Sequence, residues 1–463
     1  MSANHRTTRR RFLGGGLAAA GGLGLSACGG GTGASVPKGW TSISFMSIGD
    51  AQDQQMFKDM IAAAQKESLD KEQIKIEWQP APGTDWSRTT ALFASGTAAD
   101  ITRMDDDRVY SLALDKKIHQ LDPWMLDKKD GMNKADYFDS FWTDNSVEGY
   151  QFCMEPAMSA NVLYYNKDLF EKAGIQAPKT WEEAWSWDEF VTNVKKLTQK
   201  SGGRTNVYGA GFPVNIVEPM LYGTGGEALI DKQTQCGVQT PAAAASIDAM
   251  AQLVRDGNAP TVDVEQLPLF NSGKLAMTWN AMDFVATIST SVKWDIMPWP
   301  KSPIYATTKN YARAFVIPTS AKEPKAAYLA LRALCGKAAS EVMAKRQWAV
   351  PNFKASAEGA AFTDHPSPSN KAVWSETLSS TGEHPVMIRM PRGPIGLAWA
   401  SAFVEGTLAN GLMSGKMATK DYISRARTQV NAEIKKEKWT SDEGLKRLQA
   451  SGALADANAK VVS

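Results

Sequence analysis

The sequence predicts an α/β fold with mainly parallel strands. Apolar residues alternate at period two in segments such as 74–78, which is typical of strands, and segments with apolar residues at helical spacing follow them. Strand and helix patterns alternate along the chain, which favours parallel pairing. A chain of 463 residues with 43% hydrophobic residues also has the length and composition of two or three globular domains.

The predicted elements follow in chain order. Residues 43–46 predict a buried strand, helical spacing through Ile61 predicts the helix after it, and 74–78 predicts the next strand. Thr180 with Glu183 resembles a capping box and predicts a helix start, and a further helix is predicted around Phe190. Alanine-rich segments predict helices at 241–255 and 326–345. Because no long linker follows residue 40, a chain with two lobes must cross between them more than once.

The first 39 residues predict export and lipidation. Thr8 to Leu13 contains three consecutive arginines and precedes a Gly-rich apolar run, which is typical of a twin-arginine signal peptide over 1–27. The run ends in 25–28, Leu-Ser-Ala-Cys, which resembles a lipobox whose Cys28 receives the lipid. Residues 28–39 then predict a flexible tether. We therefore expect a lipoprotein on the extracytoplasmic face of the cell membrane; a plain secretory signal with an incidental Cys28 is the alternative.

Composition and motifs exclude several function classes. Without the four arginines of the signal the net charge changes from +2 to −2, and no basic cluster is present, so nucleic acid is not an expected partner. No CxxC pair, HExxH, GxSxG or phosphate-binding GxxxxGK[ST] motif occurs, so we expect no metal, no cofactor and no enzyme activity. Cys153, Cys236 and Cys335 form an odd set, which predicts at least one buried thiol outside any disulfide.

The aromatic content suits a carbohydrate ligand but does not require one. The chain has 15 Trp, 16 Phe and 11 Tyr. Aromatic rings stack on the apolar faces of sugars while carboxylates, amides and guanidinium groups bind the hydroxyls. Tryptophan is more often a core residue, however, so Trp299, Trp348 and Trp399 each have a structural alternative.

Ordered sequence blocks resemble the family 1 extracellular solute-binding proteins of ABC importers, the group that includes maltodextrin-binding protein. The most specific blocks are 164–174, Tyr-Tyr-Asn-Lys-Asp-Leu-Phe-Glu-Lys-Ala-Gly, and 178–183, Pro-Lys-Thr-Trp-Glu-Glu. Further matching blocks are 95–101, 117–122, 269–280 and 297–300. The resemblance covers almost the whole exported chain.

The resemblance implies a type II periplasmic-binding-protein-like fold, in which two α/β lobes enclose a ligand cleft. The first lobe would comprise 40–156 plus 312–352, and the second 157–311 plus 353–463. A protein of this kind works as a monomer and holds a small solute until an ABC permease accepts it.

The resemblance also carries a set of ligand-binding residues. Residues 100–108 match the corresponding maltodextrin-binding segment without a gap, so Asp107 and Arg108 correspond to its hydroxyl-binding pair. Met104 stands where that protein has a stacking Trp, and Trp86 is a candidate replacement. The other predicted contacts by matching block are Asp50, Gln52, Ser159, Asn161, Trp279, Trp299 and Tyr311, with Asn215 and Glu218 as weaker candidates.

Two positions depart from the family pattern. Asp283 replaces a stacking Trp, which favours a polyol, an amino sugar or a cation over a long glucan, unless Asp283 is a helix N-cap outside the cleft. Arg313 stands where a glycine pair is common, and it either binds the ligand or pairs with Asp283. Three functions therefore remain open: a sugar receptor, a receptor for a charged solute such as a glycerophosphodiester or polyamine, and an exported glycan-processing enzyme.

Overall fold

The structure is a computed structural model, in which residues 35–463 form a compact unit of their own. The residues that it describes are 36–49, 51–82, 86–105, 108–143, 146–213, 221, 225–227, 229–231, 234–301, 308–378, 387–388, 393–403, 406–438 and 441–461. The described residues form five sheets, three of them with two strands each, and the two larger sheets each belong to one of two lobes. The α/β fold predicted from the alternating patterns is confirmed.

The described strands are, in order, β1 Thr41–Gly49, β2 Ile74–Pro82, β3 Ile101–Asp105, β4 Ser146–Val147, β5 Tyr150–Gln151, β6 Ala157–Ala160, β7 Val162–Asn166, β8 Gln199–Ser201, β9 Arg204–Val207, β10 Leu229–Ile230, β11 Gln235–Cys236, β12 Met277–Asn280, β13 Trp294–Met297, β14 Thr308–Val316, β15 Val350–Pro351 and β16 Met387–Ile388.

The described α-helices are α1 Ala51–Ala64, α2 Trp86–Ser95, α3 Val109–Leu114, α4 Asp122–Met125, α5 Asp139–Thr143, α6 Lys167–Ala173, α7 Trp187–Leu197, α8 Pro241–Arg255, α9 Gln266–Asn271, α10 Pro324–Leu334, α11 Lys337–Arg346, α12 Lys354–Ala357, α13 Ala360–Thr363, α14 Ala372–Leu378, α15 Gly393–Phe403, α16 Thr407–Met413, α17 Thr419–Glu437 and α18 Ser441–Ser451.

The first lobe is built on a seven-stranded sheet with the order β15-β6-β14-β3-β1-β2, and β16 pairs with β14. Strands β1, β2 and β3 are parallel, whereas β14 runs antiparallel to β3 and β6. Phe45, Phe57 and Phe315 pack edge to face or tilted in the core of this lobe, where Phe45 and Phe315 are fully buried. Helix α1 supplies Phe57 because its apolar residues recur at helical spacing.

The second lobe is built on a three-stranded antiparallel sheet with the order β12-β7-β13. In the core around this sheet, Trp299 contacts Trp187, Trp279 and Phe190, and Trp187 also contacts Phe190. Such a core removes a large apolar area from water.

The chain passes between the two sheets at Asn161, which separates β6 from β7, and again between β13 and β14. More than one passage was predicted. The positions differ from those implied by the resemblance, because Ala157–Ala160 pairs with β14 and β15 and so belongs to the sheet of the first lobe. Residues Asn310 and Tyr311 are also part of that sheet.

The end of the chain contacts the first lobe, although the resemblance assigns 353–463 to the second. The Gln120 amide donates to the Asp456 carbonyl at 2.9 Å, and the Tyr150 hydroxyl donates to the Ala457 carbonyl at 3.0 Å. Helix α18 packs against α3 of the first lobe. The C-terminal residues therefore contact the lobe that contains β1.

Two local predictions were wrong. Residues 181–183 form a turn rather than a helix, although Thr180 accepts the Glu183 N–H as the predicted capping box requires. The Trp181 indole donates to the Val373 carbonyl at 3.0 Å, so tertiary contacts hold this turn, and the next helix starts with a capping box at Ser186. The helix predicted over 326–345 is two helices, α10 and α11, that are separated at Gly336.

Candidate functional site

The carboxyl ends of several first-lobe strands meet at one edge of the sheet. Gly49 lies opposite Pro82 in the register of β1 and β2, and β3 ends at Asp105 on the other side of β1. Strand β6 also ends at this edge, because β14 pairs antiparallel with both β3 and β6. In open α/β sheets, ligands bind outside the carboxyl ends of the strands. We therefore take this edge, together with the passage at Asn161, as the candidate site.

Three of the residues predicted from the sequence lie on strands that end or pair near this edge. Ser159 and Tyr311 are paired neighbours on β6 and β14, and Arg313 on β14 lies opposite Asp105 at the end of β3. Asp50 follows β1 and Asp107 follows β3 in the sequence, but both lie outside the described residues. Gln52 belongs to the first turn of α1.

Arg108 caps the N-terminal end of α3 with its backbone, and its side chain is half-buried. It is thus attached to the segment that follows the end of β3.

The second lobe approaches the same region through β7 and β12. Asn161 is buried and precedes Val162, which pairs with Asn280 at the end of β12. The Tyr164 hydroxyl donates to the Ala281 carbonyl at 2.8 Å and so holds the segment that leads to Asp283. Asp283 is not the N-cap, because the 3₁₀-helix Met282–Thr287 is capped by Ala281. Asn215 and Glu218 lie outside the described residues.

The predictions that two tryptophan rings contact the ligand are corrected, because both rings are buried. Trp279 is 1% exposed and Trp299 is fully buried, and their ring centroids are 6.3 Å apart in the core of the second lobe. Neither ring has a face on which a solute could stack. Met104, which replaces a stacking ring in the family, is itself 1% exposed and packs in the core.

Most other described tryptophans are also structural. Trp399 stacks on Phe403 at 4.1 Å in the core, and the Trp348 indole donates to Asp53 at 2.7 Å. Trp86 starts α2, directly after the segment that follows β2. The high tryptophan content is therefore mainly explained by packing, which was the alternative to sugar stacking.

Sequence reasoning missed a group of polar residues beneath the edge. Gln54 on α1 donates to the Gly49 carbonyl at 3.2 Å and to the Ala81 carbonyl at 3.4 Å, and Arg103 on β3 donates to the Ile48 carbonyl at 2.6 Å. The available signal was weak: a glutamine two positions before the buried Met56, on a helix that directly follows a candidate ligand loop. Gln54 is important because it joins the ends of β1 and β2, and the pairing of these strands depends on tertiary structure.

Among the residues that the structure describes, no three or more His, Cys, Asp or Glu side chains are grouped to hold a metal ion. Cys153, Cys236 and Cys335 are buried thiols, as expected for at least one of them. Burial raises the pKa of the Cys236 thiol to about 11 and that of Cys335 well above its ordinary value. These thiols are therefore protonated at neutral pH and have little nucleophilic character.

The chain belongs to the family of bacterial extracellular solute-binding proteins, whose model matches residues 50–341. This match includes the β1–α1 segment, the passage at Asn161 and the start of β14.

Three curated relatives are similar over part of the chain. A binding protein of Brucella abortus is 28% identical over 202 residues, which is 41% of this chain and 46% of the relative. A mannitol-binding protein of Pseudomonas aeruginosa is 24% identical over 316 residues, or 63% of this chain and 71% of the relative. The sn-glycerol-3-phosphate-binding periplasmic protein of Brucella abortus is 30% identical over 129 residues, or 26% and 29%.

The fold is shared with solved structures. An ABC substrate-binding protein of Listeria monocytogenes, solved in complex with cycloalternan, superposes with a TM-score of 0.70 at 19% identity, covering 85% of this chain and 99% of that one. The two-lobe fold expected from the sequence resemblance is thereby confirmed. Within the described ranges, no helix combines the length and the apolar character needed to cross a membrane.

Proposed function

We propose that this protein is a lipid-anchored receptor that captures a carbohydrate, a sugar or polyol, between its lobes and delivers it to an ABC permease. The observation that carries the proposal is the convergence of four first-lobe strand ends with the Asn161 passage into the second lobe. Closure of the two lobes over this edge would surround a small polar solute. The mannitol-binding and cycloalternan-bound relatives support a hydroxyl-rich ligand.

The proposed ligand contacts are those predicted residues that belong to or follow this edge. Carboxylates and amides bind sugar hydroxyls, and the guanidinium groups donate to ring or hydroxyl oxygens. Trp279 and Trp299 are left out because their rings are buried. The proposed set is Asp50, Gln52, Asp107, Arg108, Ser159, Asn161, Asp283, Tyr311 and Arg313.

The anchor and export route are proposed from the sequence. Removal of the twin-arginine signal before Cys28, followed by lipid attachment, would leave the receptor tethered outside the cell membrane by the segment up to residue 39. A monomer suits this role, since each chain carries both lobes. The receptor needs neither cofactor nor metal and has no catalytic step. The proposed lobes are those of the sequence resemblance, with the first crossing placed at Asn161 and the second between β13 and β14.

A charged polyol phosphate is the second candidate ligand. The similarity to an sn-glycerol-3-phosphate-binding protein favours it, and Arg313 and Arg108 at the edge would supply charge-assisted hydrogen bonds to a phosphate. Such binding weakens as salt screens the charges, whereas binding of a neutral sugar does not.

Thermal unfolding of a soluble chain from residue 35 tests the proposal against a panel of sugars, polyols, glycerol phosphates and polyamines. A ligand at 100 times its dissociation constant adds about 2.7 kcal/mol to the free energy of unfolding and raises the melting temperature. A shift with neutral sugars or polyols supports the carbohydrate receptor. A shift with charged solutes alone contradicts it in favour of the second candidate.

Replacement of Asp107 tests the proposed contacts. Asp107→Ala removes a charge-assisted hydrogen bond and is expected to weaken binding of the identified solute by about 1.5–3 kcal/mol. Asp115→Ala is the matched control, because Asp115 is an exposed aspartate at the other end of α3. Equal affinities in the two variants would remove Asp107 from the site.

A further inference from the structure

One glutamine contacts the ends of two neighbouring strands at the candidate site. The Gln54 amide on α1 donates to the Gly49 carbonyl at the end of β1 and to the Ala81 carbonyl near the end of β2, at 3.2 and 3.4 Å. It also approaches the Ser47 carbonyl at 3.5 Å. Since an amide has two hydrogens, these three carbonyls share them, and the side chain spans the gap between the strands.

A hydroxyl beneath the glutamine fixes its orientation. The Ser47 hydroxyl is fully buried, accepts the Trp78 indole N–H at 2.8 Å and donates to the Gln54 side-chain oxygen at 3.4 Å. With its oxygen engaged in this way, the Gln54 amide nitrogen faces the carbonyls of β1 and β2. We call Gln54, Ser47 and Trp78 the Gln54 clamp.

A second group contacts the end of β1. The Trp348 indole donates to the Asp53 carboxylate at 2.7 Å, and this carboxylate lies against Gly49. A Cβ atom on Gly49 would lie 2.5 Å from the Asp53 side chain, which explains why a glycine ends the strand. Trp348 thus contacts the β1 end through Asp53, from a segment that directly precedes β15.

We propose that Gln54 is a positioning residue for solute binding, because it holds the ends of β1 and β2 in one arrangement, and that Trp348 positions the β1 end through Asp53. The inference rests on the proposed function, since the segment that leaves β1 leads to the proposed contacts Asp50 and Gln52, and β2 ends beside β1. Neither Gln54 nor Trp348 needs to touch the solute. Ordered strand ends lower the entropic cost of binding because the contacts are formed in advance.

Hydrogen exchange of the soluble chain from residue 35 tests the positioning role without a ligand. Gln54→Met keeps the length of the side chain and its helix propensity but removes the amide. We expect exchange to become about tenfold faster at the ends of both β1 and β2, with little change elsewhere. The matched control is Gln55→Met, because in the described part of the chain the exposed Gln55 amide bonds to Asp59 on the same helix. Trp348→Phe keeps a ring but loses the donor, so exchange should increase at the β1 end alone.

Affinity for the solute identified by thermal shift is the second measurement. Gln54→Met is expected to bind about threefold to tenfold more weakly, and Gln55→Met as tightly as the wild type.

The positioning role is overturned if Gln54→Met exchanges like Gln55→Met, or if Trp348→Phe changes both strand ends or neither. If the wild type binds nothing in the panel, the proposed ligand class fails, while the exchange pattern still decides whether Gln54 orders the two strands. Should Gln54→Met not fold, the pattern in Trp348→Phe decides the β1 part of the proposal.

Discussion

Each lobe contains a buried aspartate that holds a distant segment of the chain, but the partners of the two carboxylates differ. In the first lobe Asp122 accepts N–H groups from Gln151 at 2.7 Å and from Val461 at 2.9 Å. In the second lobe Asp295 accepts the Asn370 N–H at 3.0 Å and pairs with Lys167 at 2.9 Å. Only the second aspartate has a cationic partner among its described contacts.

The difference in partners reverses the direction of the pKa shift. Burial raises the pKa of Asp122, and the hydrogen bonds from Val461, Gln151 and Gln120 lower it too little to compensate. Burial acts in the same direction on Asp295, but the hydrogen bonds from Ser369, Lys167, Asn370 and Ile296 together outweigh it and lower the pKa. Burial alone therefore does not determine whether a carboxylate stabilises its lobe, since the result depends on its donors.

Removal of the Asp295 carboxylate should have the largest effect. Asp295→Ala leaves Ser369 and Asn370 without their acceptor and Lys167 without its partner. Because Lys167 is 42% exposed, solvent reduces the loss, and we expect the free energy of unfolding to fall by about 2–3 kcal/mol in urea denaturation. The control is Asp168→Ala, which breaks an exposed pair with Lys293 and should cost less than about 0.5 kcal/mol. Similar losses in the two variants would contradict the comparison.

Asp122→Asn should have a smaller effect, about 1 kcal/mol. The asparagine keeps one acceptor oxygen but loses a contact with Val461 or Gln151, while removal of a buried charge offsets part of this loss. The same urea titration measures it, with exposed Asp115→Asn as the control. A loss as large as that of Asp295→Ala would mean that the charge of Asp122 is stabilising.

The pH dependence should have opposite signs in the two lobes. The lowered pKa of Asp295 means that its stabilising contribution is present above pH 3.8, the ordinary value, and is lost as pH falls through the folded-state pKa. The raised pKa of Asp122 means that its contribution is present below 3.8 and is lost as pH rises through the folded-state pKa. Urea titrations of Asp295→Asn and Asp122→Asn beside the wild type at several acidic pH values isolate each group. Each variant differs from the wild type in its free energy of unfolding. If this difference changed with pH in the same direction for both variants, the opposite pKa shifts of Asp295 and Asp122 would be refuted.

Tyr150→Phe should have the smallest effect, about 0.5–1 kcal/mol, because it removes one hydrogen bond, to the Ala457 carbonyl. We expect hydrogen exchange to become faster in residues 453–461 and to remain unchanged around Asp295. Faster exchange in the second lobe would mean that the chain end stabilises both lobes.

The sequence was informative where local pattern decides the structure. The helix Pro241–Arg255 has the predicted limits, and the alternating segment 74–78 is part of β2. The family blocks also predicted the two-lobe fold. These features depend on residue periodicity and on the order of motifs, both of which are visible in one chain.

The structural features that the sequence did not predict depend on tertiary contacts. The capping-box hydrogen bond between Thr180 and Glu183 forms without a helix. The reason is that the Trp181 indole bonds to the Val373 carbonyl, far away in the sequence. Burial of Trp279 and docking of the chain end on Asp122 have no local signal. The Gln54 contacts were missed for the same reason, since a polar residue on a helix is ordinarily solvated.

Calorimetric titration of the soluble chain with the best neutral sugar or polyol from the panel, at about 0.05 M and about 0.5 M salt, tests the central claim most directly. The account predicts one solute bound per chain, with an affinity that changes by less than about twofold between the two salt concentrations. An affinity that falls steeply with salt, or binding of charged solutes alone, would contradict the carbohydrate receptor proposed here.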